Sequence, residues 1–174
     1  MATQQKTSEE SEITTLEDLY IEEMQDLYSA ENQIIEALPK MIQAATEPKL
    51  REGFTLHLEQ TKEQAKRLEQ IFSRIGKSPD GKTCKAMKGL VAEGAEALKD
   101  VHPGPVLDAA LIGAAQRIEH YEMAGYGTAR TFAKQLGDHE SISLLEKTLQ
   151  EEKLTNEKLT HVAETLVNPQ AAKK

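Results

Sequence analysis

The fold is decided by the stretch that joins the two halves of the chain, GKSPDGKTCKAMKGLVAEGAEALKDVHPG (residues 76–104). Turn-forming glycines and prolines stand at both of its ends, in residues 76–81 and 101–105. Between them Thr83 is expected to cap a short helix whose apolar residues are Met87, Leu90, Val91 and Leu98. Such a stretch, with roughly 25 Å of helix plus extended ends, is long enough to travel the length of a helical bundle.

Two long amphipathic helices are predicted on each side of this stretch, from apolar residues at spacings of three and four. The first begins near Thr14 or Thr15, where Thr14 and Glu17 form a capping box, and Pro39 is expected to kink it or break its last turn. The second begins with Pro48 in its first turn and stops at Gly76. The third ends before Gly137, and the fourth is capped by Asp138 and reaches about Leu166.

The lengths of the connections determine the topology. Helices of about 28 to 31 residues are on the order of 42 to 46 Å long. The links within each pair are short, so each pair forms an antiparallel hairpin, and the long stretch crosses over between hairpins. We therefore predict an all-α fold: a ferritin-like four-helix bundle of two antiparallel hairpins with a long crossover that contains a short fifth helix. Residues 1–13 are predicted to be a disordered tail, 14–168 the bundle and 169–174 a polar tail.

Composition excludes several classes of function. The chain has 174 residues, a formal charge of -8 and a pI near 5.2, which disfavour partners with phosphate backbones or anionic lipid surfaces. The N-terminus is polar and acidic, the single Cys84 cannot form an intramolecular disulfide, and no apolar run approaches the roughly 18 residues of a membrane span. We expect a cytoplasmic protein with neither a nucleic-acid nor a membrane partner.

Polar residues interrupt the apolar stripes at mid-height on all four long helices. A weak internal repeat relates Tyr28-Ser29-Ala30-Glu31 to Glu119-His120-Tyr121-Glu122, and Glu59-Gln60 with Gln64 to Glu151-Glu152 with Asn156. A carboxylate on an apolar face costs several kcal/mol unless a partner or a cation neutralises it. The residues of this predicted cluster are Glu31, His57, Gln60, Gln64, Glu119, Glu122 and Glu152.

Carboxylate oxygens with a histidine suit iron or manganese, whereas structural zinc prefers thiolates and imidazoles. Each glutamate taken alone has a simpler interpretation, as a solvated residue or a salt bridge at the edge of the stripe. His57 has two interpretations as well, a hydrogen-bonded core histidine or a metal ligand.

Several motifs resemble the YciE/YciF family of bacterial ferritin-like stress proteins over roughly residues 14–166. They are DLYSAENQ (26–33), His57-Leu-Glu-Gln-Thr61-x-x-Gln64, DAALI (108–112), Glu119-His-Tyr-Glu122-x-x-x-Tyr-Gly-Thr128 and Glu151-Glu-Lys153. The resemblance implies a rubrerythrin-like bundle, commonly a homodimer, with a two-metal site and no firmly assigned reaction.

The chain departs from that family pattern on the second and fourth long helices. Related chains often have glutamate in place of Gln60 and aspartate in place of Asn156. The Glu-x-x-His pairs of ferritin-like proteins are missing too, since Thr155 stands three residues after Glu152. We therefore expect a lopsided cluster, supported chiefly by the first, third and fourth long helices.

Two functions follow from this sequence. The first is a stress-response protein that binds one or two iron or manganese ions. If it is an enzyme, it acts as a metal-dependent oxidoreductase on a small oxidant, peroxide or dioxygen. The sequence does not assign its catalytic residues. The second is a non-catalytic structural or interaction homodimer whose polar core is closed by internal hydrogen bonds. Protection of nucleic acid by an assembled shell is disfavoured by the acidic charge.

Overall fold

The computed structural model describes residues 12–173, and most of the predicted tail 1–13 lies outside that range. The helices are α1 (Leu16–Ala44), α2 (Pro48–Ile75), α3 (Lys85–Asp100), α4 (Pro105–Leu136) and α5 (His139–Val162). A π-helical turn, Ala163–Val167, and a short helix α6, Asn168–Ala171, continue α5. Within the described residues there is no β-strand, and none of the helices is both long and apolar enough to span a membrane.

The arrangement confirms the predicted bundle. Helices α1 and α2 form one hairpin and α4 and α5 the other, and the two hairpins meet through contacts of α1 with α4 and of α2 with α5. The crossover helix α3 packs against α1 and α4. The long stretch after Gly76 therefore covers one side of the bundle, and within residues 12–173 no helix covers the α2–α5 side.

Most helix ends follow the local sequence. Gly76 and Gly137 terminate α2 and α4 in the left-handed conformation, with φ of 67° and 72°, which glycine adopts without steric cost. Asp138 caps α5 as predicted by accepting a hydrogen bond from the Ser141 backbone N–H. Pro48 occupies the first turn of α2, where its missing N–H costs nothing.

Two predicted helix caps were wrong by one residue, and one of the two expectations for Pro39 was wrong. The capping box of α1 is formed by Thr15 and Asp18 rather than by Thr14 and Glu17. The cap of α3 is Cys84, whose Sγ accepts from the Met87 N–H, and not Thr83. Helix α1 continues past Pro39 to Ala44, so its last turn is not broken, since proline removes one hydrogen bond and the remaining turns persist.

The C-terminal segment is more structured than a polar tail. Asn168–Ala171 are helical, and Val167, just before them, is only 1% exposed. The π-turn places this valine in the apolar core, so contacts with α4 extend the last helix beyond the predicted end of the bundle.

The interior consists of two apolar clusters separated by a polar layer. One cluster contains Leu50, Phe54 and Leu111 together with α3, and the other contains Phe72 and Leu145 at the opposite end. Most of the buried polar residues lie between the two clusters along their helices: Glu31 on α1, His57, Thr61 and Gln64 on α2, Glu119 and Glu122 on α4, and Glu152 on α5. Packed side chains therefore close the polar layer from above and below.

A buried carboxylate outside this layer shows how the fold usually satisfies such a group. Asp108 is 1% exposed and accepts hydrogen bonds from the Thr46 backbone N–H at 2.7 Å, the Thr46 hydroxyl at 2.6 Å and the Glu47 N–H at 2.9 Å. Three donors compensate for the lost hydration of this carboxylate. They also fix the α1–α2 loop against α4.

Two glycines of α4 allow a test of the close contact between α1 and α4. A Cβ added at Gly125 would lie 2.7 Å from Leu27 Cδ2, whereas one added at Gly127 meets nothing within 4 Å. Gly125→Ala is expected to lower the free energy of unfolding by about 1–2 kcal/mol through overpacking. Gly127→Ala, the matched control, is expected to raise it by about 0.5–1 kcal/mol because alanine favours helix. Urea denaturation of both variants checks this; equal effects would contradict the tight α1–α4 contact.

Candidate metal centre

The polar layer contains residues from all four long helices, each nearly inaccessible to solvent. None of these residues is more than 3% exposed. They are Glu31 on α1, His57, Thr61 and Gln64 on α2, Glu119, Glu122 and Tyr126 on α4, and Glu152 on α5.

Helical periodicity places the members of each helix on one face. His57, Thr61 and Gln64 are spaced by four and three residues, and Glu119 and Glu122 are three apart. Side chains at these spacings lie above one another on the inner surface of the helix. The layer is therefore built into the same stripes that form the apolar core.

Four residues form the compact part of the layer. His57, Glu119, Glu122 and Glu152 each have a ligand atom within 4.8 Å of the other three ligand atoms. The His57 Nε2 atom is 3.2 Å from Glu119 Oε1, although neither ring nitrogen makes a directed hydrogen bond. One imidazole and three carboxylates at this separation can converge on a single cation, and they fit iron or manganese better than structural zinc.

Glu31 and Gln64 lie at the edges of this group. The Tyr126 hydroxyl donates to Glu31 Oε1, and the Gln64 amide donates to Glu152 Oε1. The Gln64 amide also reaches Glu151 Oε2 at 3.2 Å. Glu31 is close enough for its charge to affect Glu122, so a second cation would find a further carboxylate on this side.

One flank of the layer is fixed by an ion pair between α2 and α5. Arg67 donates to both oxygens of Glu151, at 2.6 and 2.8 Å, and to the Thr148 hydroxyl at 3.0 Å. This bidentate arrangement holds the two helices together beside Glu152. The sequence does not reveal this pair, because an arginine and a glutamate on different helices carry no local signal of their contact.

Many polar atoms of the layer have no hydrogen-bond partner. Both oxygens of Glu122 and both ring nitrogens of His57 are buried and unpaired among the described residues. The others in the layer are Glu31 Oε2, Gln64 Oε1, Glu119 Oε2 and Glu152 Oε2. Because nearly all buried polar groups in proteins are satisfied, such a concentration indicates a site for a ligand.

Burial also shifts the ionisation of the cluster. It raises the pKa of Glu31, Glu122 and Glu152 well above the usual 4.5, and the neighbouring carboxylates raise them further. Burial raises the pKa of Glu119 to about 7, and it lowers the pKa of His57. Without a cation the carboxyl groups therefore retain protons at a pH where exposed glutamates have lost theirs.

The structure brings together six of the seven residues selected from the sequence. Gln60 is the exception: it is partly exposed and lines a surface groove instead of the polar layer. Asn156, which corresponds to Gln64 in the predicted repeat, accepts a hydrogen bond from Gln116 outside the layer. The four buried carboxylates lie on α1, α4 and α5, the first, third and fourth long helices, and α2 contributes the neutral side chains of His57 and Gln64.

A groove between α2 and α5 leads from the surface to the cluster. Its volume is about 690 Å³, and its lining includes His57 and Glu119. Most of the remaining lining is apolar, with Leu50, Phe54 and Leu159 among its residues. The cluster is thus closed on three sides of the bundle and approached from the fourth.

Comparison with known proteins identifies the family of this chain. Residues 15–172 match DUF892, a family described as a domain of unknown function. The chain belongs to the DUF892 family. Protein YciF of Escherichia coli is 44% identical over 161 residues, covering 92% of this chain and 97% of that protein. The resemblance to the YciE/YciF stress proteins is therefore confirmed.

Solved structures of DUF892-like proteins share the bundle. The crystal structure of the E. coli stress protein YciF has a TM-score of 0.87 and 42% identity, covering 91% of this chain and all of that one (100%). The YcfI protein of Rhodopseudomonas palustris has a TM-score of 0.85 and 44% identity, with 88% and 98% covered. A Xanthomonas campestris protein, at 18% identity and a TM-score of 0.71 over 89% of this chain and 95% of that one, shares the fold alone.

The raised pKa values predict how stability depends on pH. For Glu119 the folded protein binds more protons than the unfolded chain between pH 4.5 and about 7. In the chelator-treated protein, the raised pKa of Glu119 therefore stabilises the folded state fully below pH 4.5. This stabilisation, on the order of 3 kcal/mol for this group, is lost as the pH rises to about 7. Urea denaturation at pH 5 and pH 8 measures the difference.

The variant Glu122→Gln tests the same cause. Glutamine has nearly the same shape and no charge, so metal-free Glu122→Gln is expected to gain about 1–3 kcal/mol at pH 8 and much less at pH 5. Glu36→Gln, at an exposed position on α1, is the control and should change stability by less than about 0.5 kcal/mol. A loss of stability in Glu122→Gln at pH 8 would show that the carboxylate is stabilised by other groups.

Proposed function

We propose that this protein is a stress-response protein of the YciF type whose bundle binds one or two iron or manganese ions. The observation that carries the proposal is the set of unpaired, fully buried ligand atoms on His57, Glu119, Glu122 and Glu152. The relation to the E. coli stress protein YciF supports the stress-response part. A cytoplasmic location and a homodimer belong to the same proposal.

The arrangement of donors gives each residue a distinct part in binding. His57 would supply the one nitrogen ligand, and Glu119, Glu122 and Glu152 would supply oxygen ligands to the same ion. Glu31, held by the Tyr126 hydroxyl, and the unpaired carbonyl oxygen of Gln64 would be the further ligands available to a second ion. A carboxamide is a weaker ligand than a carboxylate, so the second position would bind less tightly than the first.

The proposed chemistry is metal-redox chemistry with peroxide or dioxygen. Bound iron or manganese would supply the electron transfer, which no side chain of the layer provides by itself. The protein would contribute exclusion of water from the centre by the two apolar clusters that close the polar layer.

The alternative is a structural or interaction protein with a polar core closed by internal hydrogen bonds. The described role of the R. palustris relative YcfI is a proposed structural one, which favours this alternative. The unpaired atoms favour the metal centre, since Glu122 has no donor near either oxygen, whereas the structural carboxylate Asp108 has three.

Metal titration distinguishes the two functions. Ferrous or manganous ions added to chelator-treated protein should bind at one or two per chain, and calorimetry in two buffers should show release of protons, because ligation ionises the carboxyl groups. Glu122→Gln and His57→Ala should each weaken binding at least about ten-fold. Gln60→Ala, which alters a glutamine outside the layer, should leave the affinity unchanged.

Two results would exclude the metal centre. One is less than about a tenth of an ion per chain after addition of ferrous iron. The other is a thermal stability of Glu122→Gln that exceeds that of the natural protein by the same amount with and without metal. Either result would favour the structural alternative, because no cation would be compensating for the buried carboxylates.

A further inference from the structure

The groove between α2 and α5 has the size and lining of a site for a small organic molecule. It is bounded by residues 49–60 of α2 and by residues 154–166 of α5 and its π-turn, and twelve helical residues span about 18 Å. Its volume of about 690 Å³ lies within the roughly 300–1,000 Å³ of small-molecule pockets. The π-turn contributes Thr165 and Leu166, and such turns are frequent at functional sites.

The walls of the groove suit an aliphatic chain. Leu56 and Leu154 stand on opposite helices and are each 52% exposed, although large apolar side chains usually avoid water. Leu50, Phe54 and Val162 continue the apolar lining. A narrow apolar surface along two helices favours an extended chain over a compact polar metabolite.

The inner end of the groove has unsatisfied polar groups. The imidazole of His57 is 3% exposed, lines the groove and has no hydrogen bond at either ring nitrogen. Glu119, beside it, lines the groove too and leaves Oε2 without a partner. A ligand head group that both donates and accepts a hydrogen bond would satisfy a ring nitrogen of His57 and the free carboxyl oxygen of Glu119.

The charges around the inner end determine the kind of head group. Glu122 and Glu152 lie beside His57 and Glu119, and among the described residues none of the four forms an ion pair with a lysine or arginine. An anionic head such as a fatty-acid carboxylate would therefore face carboxyl groups without a cation of the chain to offset them. At the mouth, Lys49 and Lys158 are accompanied by Glu52 and Glu157, so the entrance has no net preference for either sign.

We infer that this groove binds linear aliphatic molecules with one small uncharged oxygen head group, with the head placed against His57 and Glu119. Hydroperoxides and alcohols have such heads. The inference deepens the proposed function, and one part of it rests on that function. If the metal centre reacts with peroxide, the alkyl hydroperoxides of this class would be its substrates. Binding of the unreactive alcohols does not depend on metal.

The test measures binding of straight-chain alcohols to the chelator-treated full-length protein by calorimetry. From 1-hexanol to 1-octanol and 1-decanol, the dissociation constant is expected to fall by about four-fold for each added methylene. Octanoate is expected to bind roughly ten-fold more weakly than 1-octanol, because its head is charged. Equal or tighter binding of octanoate or of n-octylamine would overturn the assignment of an uncharged head.

Two exposed helical glycines provide a matched pair of variants. Gly53 lines the groove and Gly89 lies on α3, and an added Cβ meets nothing within 4 Å at either position. Gly53→Phe should fill the groove and weaken 1-decanol at least ten-fold, whereas Gly89→Phe should leave the affinity unchanged. Leu154→Gln, at an exposed position that the fold tolerates, should weaken 1-decanol more than 1-hexanol.

The remaining outcomes show whether the alcohols bind in the groove, whether another chain covers the groove, and whether the binding is independent of the metal centre. No binding of any alcohol, or the same affinity in Gly53→Phe and Gly89→Phe, would overturn the site. Sedimentation velocity at the same concentrations tests for a second copy: a dimer that Gly53→Phe alone dissociates would show that another chain covers the groove, and would also overturn it. Alcohol binding in a protein that binds no metal would leave the groove standing while the proposed function fails.

Discussion

The burial of four glutamates at one level of a helical bundle is the constraint on which the rest of this structure depends. Removing a carboxylate from water costs several kcal/mol, and among the described residues none of Glu31, Glu119, Glu122 and Glu152 forms an ion pair with a lysine or arginine. Single donors on Tyr126 and Gln64 reach Glu31 and Glu152, so most of that cost is left to protons or cations. Asp108 shows the ordinary solution of three nearby donors, and its contrast with Glu122, which has none among the described residues, indicates that the polar layer could hold a cation.

The packing around the layer is unequal on its different sides. Apolar clusters close both ends, α3 covers the outside of α1 and α4, and Arg67 with Glu151 ties α2 to α5 on one flank. Beyond that tie the same two helices separate into the groove that reaches His57. A closed, low-dielectric centre with one apolar approach is the arrangement expected of a site that admits a small, weakly polar molecule and excludes bulk water.

Local signals were enough to predict the fold, and some of the site. The period of the apolar residues, the glycines at 76 and 137 and the cap at Asp138 place the long helices, and the length of residues 76–104 sets the crossover. Interruptions of the apolar stripes identified Glu31, Glu119, Glu122 and Glu152, because a carboxylate in a stripe is visible without knowledge of its neighbours. Gln60 lies in the groove and not in the polar layer, since a short repeat between helices gives the level of a residue along its helix but not the direction of its side chain about the helix axis.

The sequence by itself thus determined that this chain forms an all-helical bundle with carboxylates at its centre, because helical periodicity and connection length are properties of neighbouring residues. Only the tertiary structure decided that α2 turns Gln60 out of the polar layer, that Glu122 meets no donor among the described residues while Asp108 meets three, and that α2 and α5 part to form a groove. Those outcomes depend on the rotation and separation of helices distant in sequence. A shift of one residue along a helix turns a side chain by about 100°, enough to move it from the layer to the surface.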